Sequence, residues 1–182
     1  MNTTRDTLSL DEATRRIRVD HDLLLTRVER LSEQQLTAEY HVLSGPLGDF
    51  CESLHDLVAH VLMWDEINLA VLSEAVAGRS HWSLDPRWET PDAGRRLNRG
   101  GVAAGRHIPS PLLLHRLVAV RDALMDEFAR YSERSWAEPG ETPVLADGLG
   151  ELARKVWTVP GHQAFWHAAI HLDQLTQAAA TQ

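Results

Sequence analysis

The chain reads as an all-α protein, a four-helix bundle with one long crossover connection. Apolar residues recur at three- and four-residue steps over four long stretches, capping residues stand at several of their starts, and no stretch alternates as a strand does. With 182 residues, the chain suits one domain able to bury a genuine core. That domain is expected over residues 9–182, after a flexible N-terminus of residues 1–8.

The first helix is expected over residues 10–31. Ser9 and Glu12 have the spacing of a capping box, and Ile17, His21, Leu24, Val28 and Leu31 follow on one face. A short helix can start at Ser32. Ser53 with Asp56 caps a second long helix, whose stripe includes Leu54, Leu57, Val61 and Leu72 and which ends at Gly78. Residues 79–109 lose periodicity, because Pro86, Pro91, Gly94, Gly100, Gly101 and Gly105 interrupt any regular element. A connection of that length is uncommon without a function, and Trp82, Leu84, Trp88 and Leu97 predict that it docks on the bundle. Ser110 and Pro111 open a third helix, whose Leu114, Leu117, Leu124 and Phe128 point one way and which ends near Tyr131. A short helical piece over 149–157 precedes the fourth helix, expected over 160–180 with His167, His171, Gln174 and Ala178 on one face.

Composition narrows the function. The 18 Lys and Arg against 26 Asp and Glu give a net charge of −8, which is expected to repel a phosphate backbone and so to exclude nucleic acid. Residues 79–106 are a local exception, with Arg79, Arg87, Arg95, Arg96, Arg99 and Arg106 against Asp85, Glu89 and Asp92. Neither a signal segment nor a membrane span is legible, so a cytoplasmic protein with no membrane partner is expected. The single cysteine, Cys51, precludes an internal disulfide and a thiolate cage, so any metal must be held by nitrogen and oxygen.

The histidines carry the chemistry. His167 and His171, four apart on a helix, project from one face about 6 Å apart and can share an ion. His60 lies on the inward stripe of the second helix, and a bundle can bring it to the same point. Three buried imidazoles without a metal or a charged partner are expensive, since each carries two ring nitrogens to satisfy. The trio therefore predicts a divalent metal site with an open position; zinc suits it first, and nickel or iron also accept imidazole. His21 is an extra ligand, a proton shuttle or a core residue. Asp56 and Gln174, one turn from His60 and His171, are placed to orient ligands. Trp64, Trp82 and Trp88 suit an aromatic pocket wall, and Arg95, Arg96 and Asn98 would belong to a substrate loop.

The run Ser53-Leu-His-Asp-Leu-Val-Ala-His60-Val-Leu-Met-Trp64, the earlier Leu31-Ser-Glu-Gln-Gln-Leu36 and the late His167-Ala-Ala-Ile-His171-Leu-Asp-Gln174-Leu resemble the DinB superfamily of metal-binding four-helix bundles. The resemblance covers residues 11–177. It implies His60, His167 and His171 as ligands, with Gln174 at the family's downstream glutamine. It also implies thiol transferases or isomerases that use mycothiol or bacillithiol. Trp88 and Leu97-Asn98 resemble the colibactin self-resistance branch, whose members open a strained electrophilic ring but lack a clean HxxxH pair. The usual Trp-Ser-Val before the second long helix is replaced here by Phe50-Cys-Glu-Ser-Leu.

The leading expectation is a metal-dependent enzyme that delivers a low-molecular-weight thiol to an electrophilic small molecule, with the arginine-rich loop meeting carboxylates. A hydrolase that detoxifies a reactive natural product is the alternative. A non-catalytic bundle that binds a small molecule or metal is the third. A homodimer is compatible with each.

Overall fold

A computed structural model describes residues 8–40 and 50–176. Its helices are α1 (Leu10–Val28), α2 (Glu33–Thr37), α3 (Leu54–Val76), α4 (Pro91–Gly105), α5 (Ser110–Ala129), α6 (Glu133–Ala137), α7 (Leu149–Val156) and α8 (His167–Thr176). No strand occurs among the described residues. The chain is thus all-α, as expected. The bundle is formed by α1, α3, α5 and α8: α1 packs on α5 and α8, and α3 closes the ring against the same two helices. One end of the core centres on Leu24, Leu57, Val61 and Leu117, the other on Ile17, Leu72, Leu124 and Phe128.

Serine caps position α1 and α3 as the sequence implies, but Ser110 is the first residue of α5 rather than its cap: Pro109 holds that place and no side chain caps the helix. The Ser9 side chain accepts the Glu12 N–H at 3.2 Å, and Ser53 accepts the Asp56 N–H at 3.1 Å. Ser32 and Gln35 form a full capping box on α2. Gly78 ends α3 at φ 74°, a left-handed conformation that suits glycine. Of the expected flexible N-terminus, residues 1–7 lie outside the described residues. Leu8 is held, its carbonyl accepting the indole N–H of the buried Trp136 at 2.8 Å.

Three further expectations are corrected. The first helix stops at Val28, three residues short of Leu31. The fourth starts at His167 rather than near 160. Phe165 sits at φ 64° with its N–H bonded to the Trp157 carbonyl at 2.9 Å, so the chain reverses before it can enter the helix. The expected extension of this helix to 180 falls partly outside the described residues. The largest correction is the crossover connection. It contains two short 3-10 turns and the 15-residue helix α4, packed along α3.

The glycines that argued against a helix are what let α4 pack. A Cβ at Gly105 would run into Ala59, and one at Gly101 into Met63, so both glycines face α3 where the backbones approach closely. Pro91 occupies the first turn, where its missing N–H costs nothing, and Thr90 caps the helix by accepting the Ala93 N–H at 3.2 Å. Intrinsic propensity is overridden by tertiary packing.

Candidate metal centre

His60 stands on α3, and His167 and His171 on α8; all three side chains are buried. Their Nε2 atoms converge: His60 Nε2 lies 3.1 Å from His167 Nε2 and 3.3 Å from His171 Nε2. A single metal bound tetrahedrally at about 2.0–2.1 Å separates two nitrogen ligands by about 3.3 Å. The donor set therefore fits one divalent ion. The residues could hold such an ion, and the geometry leaves its identity open among metals that accept imidazole.

The protonation state agrees with that chemistry. Burial lowers all three histidines, with neighbouring imidazole charge adding to the effect at His60 and His167; His167 falls to about 3. Neutral imidazole is the metal-ligating form. The Gln174 carbonyl oxygen stands 3.2 Å from His171 Nδ1, where it accepts the Nδ1 proton and leaves the Nε2 lone pair facing its partners. His60 has no such anchor: its Nδ1 is buried without a hydrogen-bond partner among the described residues.

Two aspartates that sequence reasoning passed over set the centre's frame. Asp20 of α1 accepts the N–H groups of Ala168 at 2.9 Å and Ala169 at 2.7 Å, capping α8 directly beside His167. Burial raises its carboxyl to about 6 despite those two hydrogen bonds. Asp65 of α3 meets His21 Nε2 at 2.9 Å, and both are buried. Burial alone would lower His21, but the Asp65 charge and hydrogen bond together raise it. His21 is thus a paired core residue apart from the three converging Nε2 atoms.

The centre forms the floor of a cavity of about 460 Å³ between α3, α4, α8 and residues 156–160. Phe50, Trp64 and Trp157 give it aromatic walls, with the Phe50 ring 5.1 Å from that of His60. On α4 the lining residues are Pro91, Gly94, Arg95 and Asn98, one helical face. Asn98 also fixes Trp64, accepting its indole N–H at 2.8 Å. Asn68, buried and two turns beyond His60 on α3, brings an amide to the cavity. His60, Trp64 and Asn68 have a four-residue spacing that would have marked Asn68 in the sequence.

Other expected site residues lie elsewhere. Asp56 does not reach His60; it binds the Arg106 guanidinium at 2.7 and 3.2 Å and accepts the Glu52 N–H at 2.9 Å, tying α4 to the start of α3. Trp82 and Trp88 do not line the cavity: they pack edge-to-face at 5.1 Å on the surface, 46% and 40% exposed. Arg96 points outward and shares Asp92 with Arg95. Most of the positive charge in residues 79–106 is locally paired, Arg79 with Glu74 and Arg87 with Asp85.

Fold and site together define a helical bundle with a buried three-histidine centre beneath a small-molecule-sized cavity. The crystal structure of colibactin self-resistance protein ClbS in complex with a double-stranded DNA is similar to it, with a TM-score of 0.71 and 16% identity over 96% of this chain and 97% of that one. An uncharacterised protein from Escherichia coli UTI89 is similar at a TM-score of 0.71 and 12% identity, covering 94% and 93% of the two chains. At such identities the likeness is one of fold. No protein-family model and no curated protein matches the sequence.

These neighbours correct one expectation. A net charge of −8 predicts that nucleic acid is excluded, yet ClbS, with this fold, is seen bound to double-stranded DNA. Phosphates sense the local field of the surface they meet, and a whole-chain sum does not describe it. Among the described residues no helix is long and apolar enough to cross a membrane.

Proposed function

We propose that this protein is a metal-dependent enzyme that inactivates an electrophilic small molecule, with a divalent ion held by His60, His167 and His171. The observation that carries the reading is the convergence of three buried Nε2 atoms at ligand spacing beneath an accessible cavity. Such an ion supplies Lewis acidity, lowering the pKa of the nucleophile it binds. The chain's own residues then do the positioning. Gln174 orients His171, Asp20 fixes the start of α8, and Trp64 and Trp157 form walls that exclude water from the reacting partners.

The nucleophile in this reading is a low-molecular-weight thiol of the mycothiol or bacillithiol type, in keeping with the DinB resemblance of the two histidine segments. Hydrolysis of a reactive natural product is the second reading, favoured by the shared fold with a self-resistance protein. Duplex DNA enters the second reading as a further ligand. Arg99, exposed on α4, is one cation that can meet phosphate, and binding that falls with salt is expected.

The test is elemental analysis of the purified protein, followed by electrophile consumption with and without added thiol. Turnover only with thiol supports S-transfer, and turnover with water alone supports the hydrolase. Stoichiometric metal with no turnover in either arm leaves a bundle that sequesters its ligand.

A further inference from the structure

We propose that Gly94, Arg95 and Asn98 of α4 form the specificity surface of this cavity, selecting a bulky, mainly apolar substrate that carries one anionic group. The inference rests on the reading that the cavity above the histidines is the active site.

The cavity's charge pattern is simple. Among the described residues Arg95 is the only Lys or Arg in its lining, and no Asp or Glu lines it. Arg95 makes a single bond to Asp92, at 3.2 Å, while Arg96 takes the other oxygen of the same carboxylate at 2.9 Å. Two guanidiniums thus share one negative charge, and most of the five N–H donors of Arg95 remain available. Glu89, just before α4, is engaged by Lys155 at 2.6 Å. An incoming carboxylate, sulfonate or phosphate meets a guanidinium only partly neutralised by the shared Asp92, and its planar donors suit such groups.

The space is as informative as the charge. At its C-terminal half α4 presses on α3 through Gly101 and Gly105, but at Gly94 a Cβ would meet no atom of the described residues within 4 Å. No neighbour among the described residues requires a glycine there, and in a helix interior glycine costs up to about 1 kcal/mol against alanine. Gly94 faces the cavity, so the space its missing side chain leaves is available to a ligand. Apolar Phe50, Trp64 and Val159 opposite would cover the body of that ligand, and the Asn98 side chain, already bonded to Trp64, offers its amide alongside.

The experiment uses metal-stripped full-length protein and two fluorescent probes with the same ring system, 8-anilinonaphthalene-1-sulfonate and neutral N-phenyl-1-naphthylamine. The wild type is expected to prefer the sulfonate by about tenfold. Arg95→Gln should abolish that preference and leave the neutral probe's affinity unchanged, whereas Arg87→Gln, outside the cavity lining, should change neither. Gly94→Leu should weaken both probes severalfold, with helical circular dichroism and Tm retained because leucine favours the helix. Preference surviving in Arg95→Gln, undiminished binding of both probes to Gly94→Leu, or no binding of either probe to the wild type would overturn the proposal. Zinc titration of the same wild-type preparation separates the two ideas. Zinc binding without anion preference sinks only the specificity surface, and anion preference without zinc binding sinks only the metal-dependent reading.

Discussion

The Asp20 carboxylate on α1 accepts the Ala169 N–H at 2.7 Å, so the first turn of α8, which begins with His167, is held by a residue near the other end of the chain. A helix start needs acceptors for its first N–H groups, and here they come through space rather than from the preceding residue. Burial raises Asp20 to about 6, above the unfolded value of 3.8. With the folded pKa raised, this group's stabilisation is fully present below pH 3.8 and is lost as pH rises through 6. Asp20→Asn keeps an acceptor without the charge. Its stability relative to wild type should therefore improve between pH 5 and pH 8, by about 1 kcal/mol, as read by urea melts at both values.

Removing any one of the three converging imidazoles should abolish tight metal binding, since three ligands are the minimum for the site. Calorimetric zinc titration of His60→Ala, His167→Ala and His171→Ala checks this, and stoichiometric tight binding in any of them contradicts the ligand set. Gln174→Ala should instead weaken affinity by about tenfold or somewhat more, because it frees the His171 ring without removing a ligand.

Glycines on α4 should divide by the face they occupy. Gly105→Ala drives a Cβ into Ala59 and should cost about 1–3 kcal/mol. Gly100→Ala meets nothing among the described residues within 4 Å and should be neutral or stabilise by up to about 1 kcal/mol. Thermal unfolding of the two variants side by side gives the answer, and equal effects would mean that α4 does not pack on α3 through this row.

Trp88 should matter little to the cavity. It lies on the surface against Trp82, so Trp88→Ala should cost only about 1 kcal/mol of stability while metal content and probe affinity stay at wild-type levels. A loss of probe affinity would bring this tryptophan into the pocket after all.

The buried His21–Asp65 pair gives the sharpest stability test. Asp65→Ala leaves a buried imidazole without its partner and should cost about 3–5 kcal/mol, whereas replacing both residues with apolar ones should cost much less. Additive losses in the double variant would show that the two are not coupled.

By itself the sequence determined the four bundle helices, since a repeat of three and four apolar steps buries a stripe in only one way. It also determined the converging histidines, because an HxxxH pair and a histidine on an inward stripe must face the same interior. The Ser9, Ser32 and Ser53 caps and the Gly78 stop were legible for the same reason, that their chemistry acts within one turn. What only the tertiary structure decided depends on partners far apart in the chain. The helix α4 was hidden by prolines and glycines whose use becomes clear only against Ala59 and Met63. The start of α8 waits on Asp20, and Asp56 was drawn away from His60 by Arg106, fifty residues on. Trp82 and Trp88 found each other rather than the cavity. Local propensity and periodicity act over a few residues, whereas caps, ion pairs and close backbone approaches across a bundle are set by packing that no local window contains.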